Sequence, residues 1–482
     1  MNEDYIAKAL DEVSDEHITQ ALQAKRKRRR PLWIGTVAAA LAVVLLVCAL
    51  VGGPMQTTAY AISEARYPDM APYPDMSAFE ASNGEFDSDG YSRAFDAWWE
   101  SRQALRNQPV GYASGLEDFF ARSTRQFLTG GEENRVYSPL NVYMALAMLA
   151  ELTDGNSRAQ ILSLLGAADL DALRAQATAL WQANYCDDGV LTSILAGSVW
   201  LSQDVNFNQK TMDTLAQVYY ASSYRGAMGS EDFNQALRDW LNAQTGGLLE
   251  EQASDLEMGP ETILALAATV YFRGKWTDDF NEAMTEPGLF HTPSGDITCD
   301  FMHQSTARSF YRGEGFSAVA QGIENGGSMW LILPEAGVTP DALLAGSGLT
   351  DFLLSESSRQ ENSQYLTVNL ALPKFDVSSD LELSGGLQAL GVTDVFDSGV
   401  SDFSPMTEDT AGIYLSRVQH AARVTIDEEG LTAAAYTVMM TAGEGMAPEE
   451  EIDFTLDRPF LFAITNAEGL PLFVGVVNRP AA

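Results

Sequence analysis

The chain has 482 residues, 46% hydrophobic and 20% charged, which excludes a disordered tail or a collagen-like fibre for most of its length. Its 29 Lys and Arg stand against 66 Asp and Glu, a net charge of −37. Such a field repels phosphate backbones, so no nucleic-acid partner is expected.

The first 51 residues differ from the rest. Six cations, Lys25 to Arg30, precede Pro31–Val51, a run of 21 residues without a charge. At ~1.5 Å per residue, that run makes roughly 32 Å of helix and matches the hydrocarbon core of a bilayer. The cation block fixes residues 1–30 as cytoplasmic. The expectation is one transmembrane helix over 31–51 with everything after it outside, at the cell membrane. The alternative is secretion after cleavage near Ala61, where Thr58-Ala59-Tyr60-Ala61 offers a small-x-small site. Residues 1–51 hold seven Lys/Arg and six Asp/Glu, so the exported part keeps 22 against 60. It carries essentially the whole acidic imbalance.

Residues 52–112 are expected to form an extracytoplasmic spacer. They contain the near-repeat Tyr67-Pro68-Asp69-Met70 and Tyr73-Pro74-Asp75-Met76, then an acidic Gly/Ser patch at Ser82–Gly90, and proline at that density favours extended chain. A helix over Tyr91–Leu105 would leave Trp98 and Trp99 seeking a partner surface.

From 113 to 482 the texture is globular. Helical periodicity marks Leu116–Leu128, Pro139–Leu152, Ser157–Leu165 and Thr211–Tyr220. Period-two, β-branched segments mark Ser328–Leu333, Tyr365–Leu370, Ala421–Ile426, Leu461–Thr465 and Leu472–Val477. Helices early and strands late indicate an α+β domain rather than alternating βαβ units.

Catalytic machinery is not evident. Of the four histidines, His17, His291, His303 and His420, no pair has metal-ligand spacing. Cys48, Cys186 and Cys299 form no CxxC and are too few for a disulfide scaffold. Gly315-Phe316-Ser317-Ala318-Val319 misses a nucleophile elbow at its last position. Gly313-Glu314-Gly315 and Gly443-Glu444-Gly445 lack the third glycine of a phosphate cradle. No cofactor or metal is expected, and the chain reads as a non-enzyme.

The segment Val424–Phe460 carries the functional signal. A strand-like Val424-Thr425-Ile426 leads into Asp427-Glu428-Glu429-Gly430. Thirteen uncharged, proline-free residues follow, Leu431 to Gly443, before Glu444. Such a run can be a buried helix or strand. It also meets the needs of a loop that becomes a strand, with no Pro to block the ladder and no charge on a buried face.

These residues resemble the hinge of the serpins, and the likeness extends over Ser114–Pro480. Asn134–Leu149 resembles the family's N-terminal strand-then-helix, and Val270-Tyr271-Phe272-Arg273-Gly274-Lys275-Trp276 its strand leading to the breach. Leu372-Pro373-Lys374-Phe375, Leu390-Gly391-Val392 through Phe396, Arg458–Phe462 and Pro471–Gly475 are similar to further family markers, in order and at family spacing. The resemblance implies a three-sheet fold with about eight to nine helices and an exposed reactive-centre loop. It implies a suicide-type inhibitor acting as a monomer. A serine protease would attack the loop and be trapped as a covalent acyl complex when the cut loop inserts as a new strand; serpin loop insertion is itself the standard example of that mode. The hinge would be Glu428, Glu429, Gly430, Leu431, Thr432, Ala433, Ala434 and Ala435. Family spacing from Gly430 places the reactive bond at Glu444–Gly445, with Met440, Ala442 or Met446 as alternatives. Ser138, Asn141 and His420 fall at the shutter under the sheet and Trp276 at the breach. Three positions depart from the pattern. Leu431 replaces the usual Thr or Ser, Asn141 an expected Ser, and Ala268 an expected Asn. The competing reading is a non-inhibitory serpin fold used for binding or surface display.

Overall fold

The computed structural model describes residues 59–81, 85–254, 256–409, 412–415, 417–431, 448 and 450–480. Residues 1–55 and 56–482 form separate units, and the second is described here. The expected membrane span, 31–51, lies outside the described residues. Among the described residues, no helix is long and apolar enough to cross a membrane.

The described part of the segment expected to be a spacer packs against the domain. It supplies strand β1 (Ala61–Ser63) and helix α1 (Ser88–Arg106), capped by the Asp87 carboxylate on the Gly90 amide. Trp98 is buried, whereas Trp99 is 47% exposed. The prolines set the extended path expected of them, but the aromatic residues between them find tertiary partners.

Helices α2 (Glu117–Leu128), α3 (Pro139–Leu152), α4 (Gly155–Leu165) and α5 (Leu170–Asn184) follow, with β2 (Arg135–Tyr137) before α3. Ser138 caps α3 through its hydroxyl and Pro139 pre-sets the first turn, as the Ser-Pro pair favours. Every α3 residue except Ala145 is buried, so this helix runs through the core. Gly166 ends α4 with φ +71°, the left-handed conformation glycine adopts without strain. Next come β3 (Cys186–Asp187), β4 (Thr192–Ser202), α6 (Gln209–Val218), β5 (Ala221–Gly226), α7 (Glu231–Gln244), α8 (Glu250–Ala253) and β6 (Leu264–Lys275). The strand-rich part contains β7 (Glu286–Thr292), β8 (Gly295–Gly313), β9 (Phe316–Ile323) and β10 (Gly327–Pro334). Helices α9 (Pro340–Ala345), α10 (Gly348–Leu354) and α11 (Glu356–Glu361) precede β11 (Ser363–Pro373), β12 (Phe375–Glu382) and α12 (Ser384–Ala389). The chain closes with β13 (Gln419–Ile426), β14 (Gly430–Leu431), β15 (Glu451–Thr455), β16 (Phe460–Thr465) and β17 (Pro471–Val477). Among the described residues eleven α-helices, α2–α12, therefore lie within the domain, more than the eight to nine expected. The surplus is in short elements such as the four-residue α8 and six-residue α11.

Among the described residues the strands form two hydrogen-bonded sheets, where three were expected. The central sheet has the order β1-β5-β4-β6-β14-β13-β12, and the other β15-β11-β8-β9-β10-β16-β17-β2. The 19-residue β8 fuses two of the expected sheets, because it pairs with β7 at its start, β9 at its end and β11 through its middle. The main core, which includes Tyr137, Leu146, Phe272, Val377 and Phe462, fills the space around α3 and between the sheets. A second cluster, with Trp200, Tyr224, Phe233 and Trp240, seals α7 onto β4 and β5.

Candidate functional site

The hinge begins where β13 ends. β13 alternates intermediate and buried residues along its whole length and pairs with β12 from Glu382↔Gln419 to Phe375↔Ile426. The chain then turns through Asp427–Gly430. The Asp427 carboxylate accepts from the amides of Glu429 and Gly430, at 3.0 and 3.1 Å, a local turn that aspartate favours.

Each described residue of the expected hinge, Glu428 to Leu431, has a defined seat. Glu428 is buried and its carboxylate accepts from Lys374 Nζ and Thr285 Oγ1, both at 2.7 Å. Burial pushes its pKa up, but the Lys374 and Thr285 bonds outweigh that and hold it below the usual carboxylate range. Glu429 is exposed, while its carbonyl accepts from the Trp276 amide at 3.0 Å. Trp276 is buried, and its indole Nε1 donates to the Asp427 carbonyl at 2.9 Å. Gly430 and Leu431 form β14, opposite Lys275 and Gly274 of β6 and, through Leu431, Ile426 of β13. A Cβ on Gly430 would lie 2.2 Å from the Gly274 carbonyl oxygen, so the close backbone approach requires glycine here. Leu431 is 2% exposed; the departure from Thr or Ser is buried between the two strands.

β14 is antiparallel to both neighbours, so β6 and β13 run parallel on either side of it. Among the described residues no ladder joins β6 directly to β13; β14 stands between them. The rest of the expected hinge, Thr432, Ala433, Ala434 and Ala435, and the expected reactive bond Glu444–Gly445 with its alternatives lie outside the described residues.

Further down the same join, α3 and its cap residue Ser138 meet the two strands. Asn141 Nδ2 donates to the Ala268 carbonyl of β6 at 3.1 Å, and the Ser138 amide donates to His420 Nε2 of β13 at 3.1 Å. An amide side chain therefore bridges helix and strand from the helix side, and Ala268 contributes its backbone. His420 is fully enclosed, with the Tyr137 ring edge-on at 5.4 Å, and burial lowers its pKa to about 4. A cavity lined by Asn141, Leu146, Leu266, Ala268, Leu387 and His420 lies between the strands at this level.

Sequence reasoning missed Thr285 and the role of Lys374. Composition held a clue: after residue 51 the only lysines are Lys210, Lys275 and Lys374, and two of these three flank the hinge. Among the described residues no group of His, Cys, Asp and Glu could hold a metal ion. Chemically, the arrangement is a socket that holds Gly430 and Leu431 beside β6, with Leu431 also paired to β13.

A family model described as serpin (serine protease inhibitor) matches residues 115–480. Putative serpin-Z5 of Oryza sativa subsp. japonica is 30% identical over 76% of this chain and 90% of its own length. Serpin-ZX of Arabidopsis thaliana is 27% identical over 72% of this chain and 92% of its own. Among solved structures, the native state of the thermophilic serpin tengpin superposes with a TM-score of 0.68 at 23% identity, covering 77% of this chain and 95% of that one. Thyroxine-binding globulin in complex with thyroxine gives 0.65 at 20% identity, over 76% and 100%. At these identities the structural likenesses establish the fold alone.

Proposed function

Because the chain belongs to the serpin family, we propose that it is a suicide-type inhibitor of extracellular serine proteases. The observation that carries this reading is β14. The two residues that follow the hinge turn already occupy a rung between β6 and β13, and the strands beside them share no other ladder among the described residues.

The chemistry follows from an ordinary acyl transfer. The protease serine attacks the scissile carbonyl, an ester forms, and the amine of the next residue leaves. Water would normally cleave the ester. Here the freed loop continues β14 downward, and about 15 residues at ~3.3 Å each move the attached protease roughly 50 Å. New ladder bonds at ~1 kcal/mol each contribute on the order of 10 kcal/mol before packing is counted. That is enough to disturb an oxyanion hole whose donors must be accurately placed. The ester then persists and the protease is lost with the inhibitor.

In the same reading the protein acts as a monomer, is held at the cell membrane by residues 31–51, and faces outward with the reactive bond at Glu444–Gly445. The test mixes the protein with serine proteases of varied specificity. A complex that survives boiling in detergent supports trapping. Cleavage by every protease with free enzyme recovered would leave the competing role, a non-inhibitory binding or display module.

A further inference from the structure

The packed N-terminal segment has more contacts than an attachment requires. The Tyr60 ring meets Phe233 of α7 edge-on at 5.0 Å, and its carbonyl accepts from the Arg225 amide at 2.8 Å. β1 extends the central sheet beyond β5, with Ala61 opposite Tyr224. Tyr67 packs on Trp181 of α5 at 5.2 Å and brings its hydroxyl to 3.5 Å from Gln244, the last residue of α7. Further on, α1 drives Arg102 into the domain. Its guanidinium pairs with the fully buried Asp188 at 3.0 Å and also donates to the Asn325 carbonyl. Trp98 Nε1 donates to the same Asp188 carboxylate at 3.0 Å.

What the segment grips is the element that lies across the join. α7 packs over β4 and β5, and the chain beyond it continues sideways. A Cβ on Gly246 would meet the Tyr271 hydroxyl of β6 at 2.9 Å. Two residues later the Leu248 carbonyl accepts from Arg423 of β13 at 3.2 Å. The tail of α7 therefore spans from β6 to β13 over the place where β14 would lengthen. A strand entering there brings side chains to the face the tail covers, and in close-packed protein both cannot occupy it.

We propose that the described residues 60–81 and 85–106 act as a strap that holds α7 and its tail across the join, so that loop insertion proceeds only when this segment yields. This rests on the inhibitor reading above and adds a gate to it. Tyr60 and Tyr67 hold the two ends of α7. Arg102 and Trp98 anchor the strap at the head of β4, and through Asn325 to the turn between β9 and β10.

The experiment uses the full-length chain in detergent and two variants, Tyr60→Ala and Arg102→Gln, incubated without any protease. Conversion to the inserted form is read as a loop that resists digestion and a species that melts at higher temperature than the starting protein. Both variants should convert roughly tenfold faster than the parent, because the barrier rather than the end state changes. Hydrogen exchange of the amides in α1 and β1 reports whether the strap has loosened. Parent-like conversion in variants whose strap exchanges freely would overturn the proposal. So would variants that lose stability without ever giving the heat-resistant form. The underlying function fails differently: if the parent, cut in its loop, gains no thermal stability, insertion itself does not occur. A gain in the cut parent together with unchanged variant conversion sinks the strap alone.

Discussion

Replacing His420 with Gln should remove a defined part of the acid sensitivity of the fold. His420 Nε2 accepts the Ser138 amide, so the ring must be neutral there, and its pKa falls from 6.5 to about 4 through burial. A histidine with a depressed folded pKa contributes stability that is fully present above the unfolded value and is lost as pH falls towards the folded one. Between pH 6.5 and 4 the unfolded chain binds a proton that the folded chain refuses. At ~1.4 kcal/mol per pH unit, going from pH 7 to pH 5 costs about 2 kcal/mol through this one group. The numerous carboxylates also respond to acid, so the measurement is a difference of differences. Urea unfolding of parent and His420→Gln is compared at pH 7 and pH 5. Gln can accept the same amide bond and cannot titrate. The variant should lose about 2 kcal/mol less than the parent over this range. Equal losses would mean that the ring already takes up its proton in the folded state, and would refute the reasoning.

Lys374→Ala should cost about 2 kcal/mol, because among the described residues it leaves the buried Glu428 carboxylate with Thr285 as its remaining side-chain donor; thermal unfolding checks this, and a neutral effect would mean that water replaces the lysine. Gly430→Ala should destabilise the hinge by on the order of 2 kcal/mol, since the added carbon falls 2.2 Å from a backbone oxygen, and faster digestion after residue 431 should accompany the loss. Ala433→Arg should turn inhibitor into substrate by demanding burial of an unpaired charge as the loop inserts; unchanged stoichiometry of inhibition would exclude insertion through that face. If residues 31–51 anchor the chain as proposed, protease added to intact cells should degrade residues 52–482 and spare residues 1–30, and a mature chain beginning near Ile62 would refute the anchor.

The parts of the fold that were legible in the sequence are those whose signal is local. Ser138-Pro139 announces the start of α3, and Gly166 closes α4. The alternation in β13 is readable because one of its faces is buried and the other is not. Strand length and ladder partners were not readable, which is why β8 joins two sheets that the resemblance counted apart. The N-terminal segment misled for a related reason. Its prolines describe its backbone correctly, but Tyr60, Tyr67, Trp98 and Arg102 are anchored by residues more than 80 positions away, and no local pattern encodes such partners. At the hinge, periodicity alone left helix and strand open; Gly430 and Leu431 form a strand, and residues 432–447 lie outside the described residues. Thr285 is invisible from sequence because it is a common residue type 143 positions from Glu428.

The join between β6 and β13 is held in a way that suits the proposed insertion of a strand. A full ladder along these strands would contribute ~1 kcal/mol per bond and would have to be broken in series before another strand could enter. The described residues replace it with a few separate ties: β14 at the top, Arg423 to the Leu248 carbonyl on the outer face, and Asn141 and Ser138 reaching β6 and β13 from beneath. Each tie joins one of the strands to β14, to the tail of α7 or to α3, and these partners lie between, over or under the join. Such ties can be released one at a time as a strand advances, so no single step meets the cost of the whole. Two of the three kinds depend on side chains, Arg423 and Asn141 together with the acceptor ring of His420, and can therefore be altered by substitution without touching the backbone of either strand. The lateral strength of the sheet is set from outside its own ladder.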